Sequence, residues 1–336
     1  MDLTSLVDDA LEVSIVGSFS QVGIMLRRSL FGWGPPPDGA LVGRTALITG
    51  PTSGLGRATT DALASLGARV VLVGRSEERL VAVRDSLEAA HGVAAHGVAA
   101  HGGERFPIVV ADMGSLTSVR AAVSRILETE PRLDILVDNA GAIYPERREG
   151  PDGIEATLAV LVIGPFVLVS GLLPLLRDTA GARVISVTSG GMYSQKLVLD
   201  DLQSTAEPYS GSRAYARAKR AQVVLVREWA RRLRGTSVTI NAMHPGWADT
   251  PGLAETLPGF YRAMRPVLRT PAQGADTIVW LAADPAAAAV RGALYLDRRP
   301  RPFDRIPGTR LSAADRRRLW DMVVSLSGAP DPAPEG

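Results

Sequence analysis

The sequence predicts an α/β fold: a doubly wound sheet of about seven parallel strands in a single domain. Two features of the 336-residue chain lead to it. Short apolar, β-branched runs alternate with stretches of helical spacing, the rhythm of a parallel sheet covered on both faces. A glycine-rich turn, Gly50-Pro-Thr52-Ser53-Gly54-Leu55-Gly56, falls directly between the first such run and the helix after it. The predicted strands are Thr45–Thr49, Arg69–Val73, Ile108–Ala111, Ile135–Asp138, Val184–Thr188, Val238–Met243 and Ala293–Leu296. Helical segments fill the gaps, and 46% apolar content is enough to fill the core of one large domain. That domain is placed at residues 40–325.

Residues 1–39 form an arm ahead of it. Their start, Met1-Asp-Leu-Thr-Ser-Leu-Val-Asp-Asp, is acidic where a signal peptide would be basic. The longest weakly polar run of the arm, Val13 to Leu26, is too short to span a bilayer. Prolines 35–37 end any helix before the domain begins. The arm is expected to pack on its own domain or on a twin subunit. The alternative is a shallow peripheral membrane contact through residues 1–33. Residues 326–336 read as a disordered tail by composition.

The chain has 35 arginines, two lysines and a formal net charge of +2. Arg231-Arg232 and Arg316-Arg317-Arg318 fall in predicted helices without aromatic interleaving, so they read as solvated faces and no nucleic-acid partner is expected. The absence of cysteine excludes disulfides, thiolate catalysis and zinc–thiolate sites. It also fits a reducing compartment, and a cytoplasmic protein is expected. Three of the four histidines lie in the repeat His91-Gly-Val-Ala-Ala-His96-Gly-Val-Ala-Ala-His101. A five-residue period puts them on no common helix face, so the segment reads as a duplicated loop and no metal site is expected.

One of the two lysines, Lys219, follows Tyr215 by four positions. One helical turn separates them, so both side chains share a face. A compact ammonium differs from a planar guanidinium, and its retention in an arginine-rich chain marks this position. The glycines of the turn after the first strand allow a sharp bend and close approach of a diphosphate to a helix N-terminus. The second strand ends Gly74-Arg75-Ser76, with no carboxylate to accept from the ribose hydroxyls of NAD. Arg75 stands where a guanidinium could pair with the 2′-phosphate of NADP, which is favoured over NAD; the other reading is an ordinary solvent-facing arginine. Asp112-Met113, Asn139-Ala140-Gly141, Ser189 and Pro245-Gly246 through Thr250 all follow predicted strands, where open α/β sheets bind ligands.

In this order, the turn at 49–56, Asp138–Gly141, Ser189, Tyr215/Lys219 and Pro245-Gly246 resemble the short-chain dehydrogenase/reductase family over roughly residues 40–300. Ser189–Lys196, Asp200–Ser204, His244–Gly252 and Ala272–Asp276 resemble its subgroup called dehydrogenase/reductase family member 12. The resemblance implies a Rossmann-type domain. It also implies an oxidoreductase that passes hydride between a nicotinamide cofactor and an alcohol or carbonyl. In that scheme Tyr215 is the general acid/base, Lys219 stabilises its phenolate and bonds the nicotinamide ribose, and Ser189 orients the substrate oxygen. Bringing a phenol from near 10 to near 7 takes about 4 kcal/mol of preferential stabilisation of the anion. Gly50, Thr52, Ser53, Gly54, Leu55 and Gly56 would hold the diphosphate, Asp112 and Met113 the adenine side, and Asn139, Ala140 and Gly141 the adenine ribose. Pro245, Gly246 and Thr250 would border the nicotinamide. The family also implies a homo-oligomer, and helix 213–233 offers apolar surface for it, though packing within one chain explains that surface equally well.

Two departures and one mild variant, the last at Asp138, stand out. Leu161 occupies the position of a family asparagine that serves a water relay to the active-site lysine. Ser189 and Tyr215 lie 26 positions apart, a wide spacing shared with the subgroup. Asp138 begins a DNAG where NNAG is frequent. His244 reads as a hydrogen-bonded structural histidine, while Met192, Tyr193 and Trp247 would flank the mouth and favour an apolar substrate. Two other readings are weighed: a catalytically weak nucleotide-binding sensor or interaction module, which Leu161 would permit, and a methyltransferase, which would have no need of Tyr215 and Lys219.

Overall fold

Alternation along the strands decides which helices cover which face. On the first strand, β1 (Thr45–Thr49), Leu47 points into one apolar core while Ala46 and Ile48 point into the other. A strand buried on both faces needs an apolar run, which Ala46-Leu47-Ile48 supplies between two β-branched threonines. The computed structural model describes residues 3–92, 104–206 and 208–332. Around β1 it places β2 (Arg69–Gly74), β3 (Ile108–Val110), β4 (Ile135–Asp138), β5 (Arg183–Val187), β6 (Thr239–Met243), β7 (Leu294–Leu296) and β8 (Arg299–Arg301). The order across the sheet is β3-β2-β1-β4-β5-β6-β7-β8. Strands β1 to β7 run parallel, as expected.

An eighth strand departs from the predicted seven. β8 is antiparallel to β7, and the two are joined through Asp297 and Arg298, both with positive φ (52° and 54°). Positive φ at both central residues is the geometry of a tight two-residue hairpin. Arg-Pro-Arg carries no apolar pattern, so nothing in it reads as a strand.

Helices Gly54–Ser65, Glu77–His91 and Pro271–Ala283 pack on one face of the sheet through Leu63, Leu80, Leu87 and Ile278. The other face is covered by Leu116–Thr129, Ala156–Asp178 and Gly211–Arg232. Ala156–Asp178 is apolar and long enough to cross a bilayer, but its side chains lie buried in this second core. It contains a π-helical turn at Ala159–Ile163. The sheet order reverses between β1 and β4, and the carboxyl ends there open the crevice in which such sheets bind ligands.

The described segments nearest the two termini pack on the domain. In the arm, helices Leu3–Val13, Ile15–Phe19 and Gln21–Leu30 pack on the domain, with Arg27 and Phe19 buried against it. At the other end, helix Ala313–Ser327 starts at a Ser312 cap and stops at Gly328 in the left-handed conformation. The segment predicted as a tail from residue 326 therefore contains the end of this helix. Beyond it, Asp331 accepts hydrogen bonds from Trp320 Nε1 (2.9 Å) and Arg232 Nε (3.2 Å). The repeat histidines His96 and His101 lie outside the described residues, as do residues 333–336. Among the described residues no cluster of His, Cys, Asp or Glu could hold a metal ion.

Of the two uses open to the apolar surface of helix Gly211–Arg232, a second subunit or packing within one chain, the structure shows the second. Val223, Val224, Leu225, Val226 and Trp229 are buried, and Trp320 packs edge-on against Trp229 with ring centres 4.9 Å apart. Phe166 closes the cluster at 5.0–5.1 Å from both rings.

Candidate active site

The turn after β1 is shaped for a close approach. Gly50 has φ +68°, and a Cβ on Gly56 would stand 2.0 Å from the Gly50 carbonyl oxygen and 2.5 Å from Asn139 Nδ2. Only glycine fits there. Ser53, ahead of helix Gly54–Ser65, is extended and gives no side-chain cap to the first turn. The donors of a helix N-terminus then remain for an anion, which is the chemistry a dinucleotide diphosphate requires.

Thr49 and Asn139 lock this turn to the next strand end. Thr49 Oγ1 accepts from the backbone N–H of both Asn139 and Ala140 at 2.9 Å. Asn139 Nδ2 donates to the carbonyls of Thr49 (2.9 Å) and Gly50 (3.1 Å). The structure thus brings Gly50, Gly54, Gly56, Asn139, Ala140 and Gly141 together, with Thr250 against Gly54. Thr250 also caps helix Pro251–Thr256 through Leu253 N. Arg75 is exposed at the end of β2, beside the Ser76 cap of helix Glu77–His91. Asp112 turns its carboxylate onto Gly114 N (2.8 Å), and Met113 is buried under helix Ala156–Asp178.

Helix Gly211–Arg232 presents Tyr215 and Lys219 one turn apart, and Ser189, just past the end of β5, stands near enough to the Tyr215 phenol to influence its ionisation. Burial pushes the phenol up, and the Ser189 hydroxyl opposes that shift. The ammonium of Lys219 lies 5.7 Å from the centre of the Tyr215 ring. The ammonium donates a hydrogen bond to the Val187 carbonyl at 2.8 Å, so the lysine is positioned by the strand and not by the phenolic oxygen. Thr188 Oγ1 donates to the Lys219 carbonyl (2.9 Å), which fastens the helix to β5 at the same point. Burial depresses the Lys219 ammonium to about 8, and Asp138 opposes the fall. Asp138 itself is pushed up to about 6 by burial against the pull of Lys219, Ser186 and Gln222.

Two sequence expectations change here. His244 is buried and both ring nitrogens lack hydrogen-bond partners, so it is not the hydrogen-bonded structural histidine expected. Burial, with Arg269 nearby, depresses it to about 3, and the neutral ring packs on Phe19 (4.8 Å) and Tyr193 (5.9 Å). Met192 and Tyr193 are buried and face inward, the Tyr193 hydroxyl donating to the Pro302 carbonyl at 2.8 Å. Of the three residues expected at the mouth, Trp247 is the partly exposed one, set edge-on to Phe19 and Phe260.

Residues that no motif flagged hold the Pro245–Thr250 turn. Arg269 donates to the Pro245 carbonyl (3.2 Å) and to both carboxylate oxygens of Asp297 (2.5 and 2.9 Å). In a chain with 35 arginines, a structural one carries no mark.

A family model described as short chain dehydrogenase matches residues 44–258. The chain belongs to the short-chain dehydrogenase/reductase family. Membership makes it an NAD(P)-dependent oxidoreductase of the CH–OH/C=O pair, which agrees with a glycine cradle fitted to a dinucleotide. Among short-chain dehydrogenases it is 37% identical to dehydrogenase/reductase SDR family member 12 of Bos taurus over 85% of this chain and 86% of that one. It is 36% identical to retinol dehydrogenase 14 of Mus musculus, over 88% and 89% of the two chains. L-Sorbose reductase from Gluconobacter frateurii, solved with NADPH and L-sorbose, shares the fold at 24% identity. Its TM-score is 0.61, covering 77% of this chain and 96% of that one.

Proposed function

We propose that this short-chain dehydrogenase/reductase uses NADP(H) to interconvert an alcohol and a carbonyl on a largely apolar small molecule, with Tyr215 moving the proton. The observation that carries the reading is the meeting of Ser189, Tyr215 and Lys219 at the carboxyl end of β5, beside the glycine cradle of β1. When bound, the nicotinamide supplies or accepts the hydride. The chain's own residues do the rest. Ser189 lies near the phenol and would hold the substrate oxygen beside it. The Tyr215 hydroxyl donates its proton to a carbonyl oxygen, or its phenolate accepts one from an alcohol. Lys219, anchored on Val187, puts a positive charge on the flank of the ring and favours the phenolate.

Arg75 supports NADP, because it is exposed at the end of β2 in a position without a carboxylate. An apolar substrate is supported by the partly exposed Trp247 beside Phe260 and by the likeness to a relative named for retinol. Absorbance of the reduced nicotinamide against a panel of ketones, aldehydes and secondary alcohols tests the reading. Tyr215→Phe is expected to abolish turnover and leave cofactor binding, measured by calorimetry, largely intact. A Tyr215→Phe protein as fast as wild type would refute it. Leu161, fully buried where the family carries asparagine, favours a second reading, a weakly catalytic nucleotide sensor. Cofactor binding without turnover on any substrate of the panel would select that one.

A further inference from the structure

The arm reaches the same two loops that border the candidate site. Phe19 ends the short helix Ile15–Phe19 and is 4% exposed. Its ring lies on Gly190, the residue after Ser189, so closely that a Cβ there would stand 2.4 Å from Phe19 Cε2. The same ring also meets His244 and Trp247, which bracket Pro245-Gly246. One side chain therefore fills the space between the Ser189 loop and the Pro245–Trp247 turn.

Backbone contacts repeat the connection. The Phe19 carbonyl accepts from Trp247 N (2.8 Å) and from Arg269 Nε (3.0 Å). Ser18 and Ser20 give their carbonyls to the same guanidinium, at 2.7 Å and 3.1 Å. Gly246, with φ +70°, could carry no side chain, since a Cβ would lie 2.5 Å from the Phe19 carbonyl oxygen. Behind these bonds stands a buried ion cluster. Arg27 of the arm pairs with Asp8, Glu12 and Asp297, each at 2.7 Å, while Asp297 also takes Arg269 and Asp8 also takes Arg301. Removing one partner from such a cluster leaves an uncompensated buried charge, so it favours a single docked position of the arm.

We infer that the arm is a built part of the active site: Phe19 is a positioning residue that sets the distance between the Ser189 loop and the Pro245–Trp247 turn, and the Arg27–Asp297–Arg269 cluster holds it there. The inference rests on the reading of Ser189 and Tyr215 as the reacting centre. Phe19 touches neither of them. It acts through Gly190, next to Ser189, and through the turn that would border the nicotinamide. A displacement of about 1 Å in a positioning group can cost on the order of 10²-fold in rate.

The test uses the full chain carrying Phe19→Ala, and Phe19→Leu as the conservative variant, assayed well below their melting transitions. Phe19→Ala is expected to lower kcat by about 10²-fold with a much smaller change in KM for the cofactor, and Phe19→Leu to recover most of the loss. A merely structural phenylalanine would lower the melting temperature and leave kcat per folded molecule unchanged; that result overturns the inference. Amide hydrogen exchange supplies a readout independent of turnover. In Phe19→Ala the N–H groups of Gly191, Met192 and Trp247 are expected to exchange at least about tenfold faster, with β1 unchanged. Unchanged exchange at those amides also overturns it. If the wild-type protein turns over nothing in the panel while the amides respond as expected, the catalytic reading fails and the arm's placement of the loops stands.

Discussion

Asp138 and Lys219 face each other inside the fold, a carboxylate and an ammonium each less than 5% exposed. Asp138 Oδ2 accepts from Ser186 Oγ (3.2 Å) and Gln222 Nε2 (3.3 Å), while Oδ1 has no partner. Its folded value of about 6 lies above its ordinary 3.8, so the folded protein holds this proton more tightly than the unfolded chain. Stability from that source is complete below about pH 4 and is lost as pH rises through about 6. Asp138→Asn is expected to remove this decline, worth at most roughly 3 kcal/mol. Thermal melts of both proteins from acid to neutral pH check it, and parallel curves would contradict the assignment.

Arg75→Asp replaces an exposed guanidinium by a carboxylate at the end of β2. A charge-assisted pair is worth about 1.5–3 kcal/mol, so selectivity is expected to move from NADP toward NAD by about 10- to 100-fold. Calorimetric titration with each cofactor measures the ratio. Unchanged selectivity would leave Arg75 as a solvent-facing residue.

Leu161→Asn restores the family residue in the π-helical turn. The side chain there is fully buried and approaches Gly141, in surroundings that are apolar. An amide placed there without partners costs about 1–3 kcal/mol. Lower stability in urea with no gain in turnover is expected, because the Val187 carbonyl already holds Lys219. A large rise in turnover would show instead that a relay limits the enzyme.

Trp320→Ala empties the space between Phe166 and Trp229 and removes the ring over which the Arg232 guanidinium lies at 3.8 Å. A loss of about 3–5 kcal/mol is expected, read from the urea midpoint. Size-exclusion chromatography of the same variant would show whether the uncovered helix face associates.

Much of the fold was legible because both faces of the sheet are buried. Most positions of β1, β4 and β6 are apolar or β-branched, which marks them as strands, and the glycine turn marks the crevice. Tyr215 and Lys219 were legible because helical spacing is local. Phe19, Arg269 and Asp297 were not. Their partners lie 171 or more positions away in the case of Phe19, and no periodic pattern announces a contact of that range. Asp138 was read as a mild variant, since a single letter does not reveal that an ammonium shares its burial. β8 escaped because Arg-Pro-Arg owes its pairing to the hairpin at Asp297 and not to its own composition.

The clamp of Arg269 and Asp297 on the arm also sets an order of events during synthesis. The first thirty residues leave the ribosome long before the segment that will receive them, and domains made N-terminus first must keep such pieces waiting. Until the last quarter of the chain emerges, the Phe19 carbonyl has no Arg269 to accept from and Arg27 no buried anion from the β7–β8 hairpin. Full docking of the arm is thereby a late step of biogenesis, one that a nascent chain stalled before residue 269 could not complete.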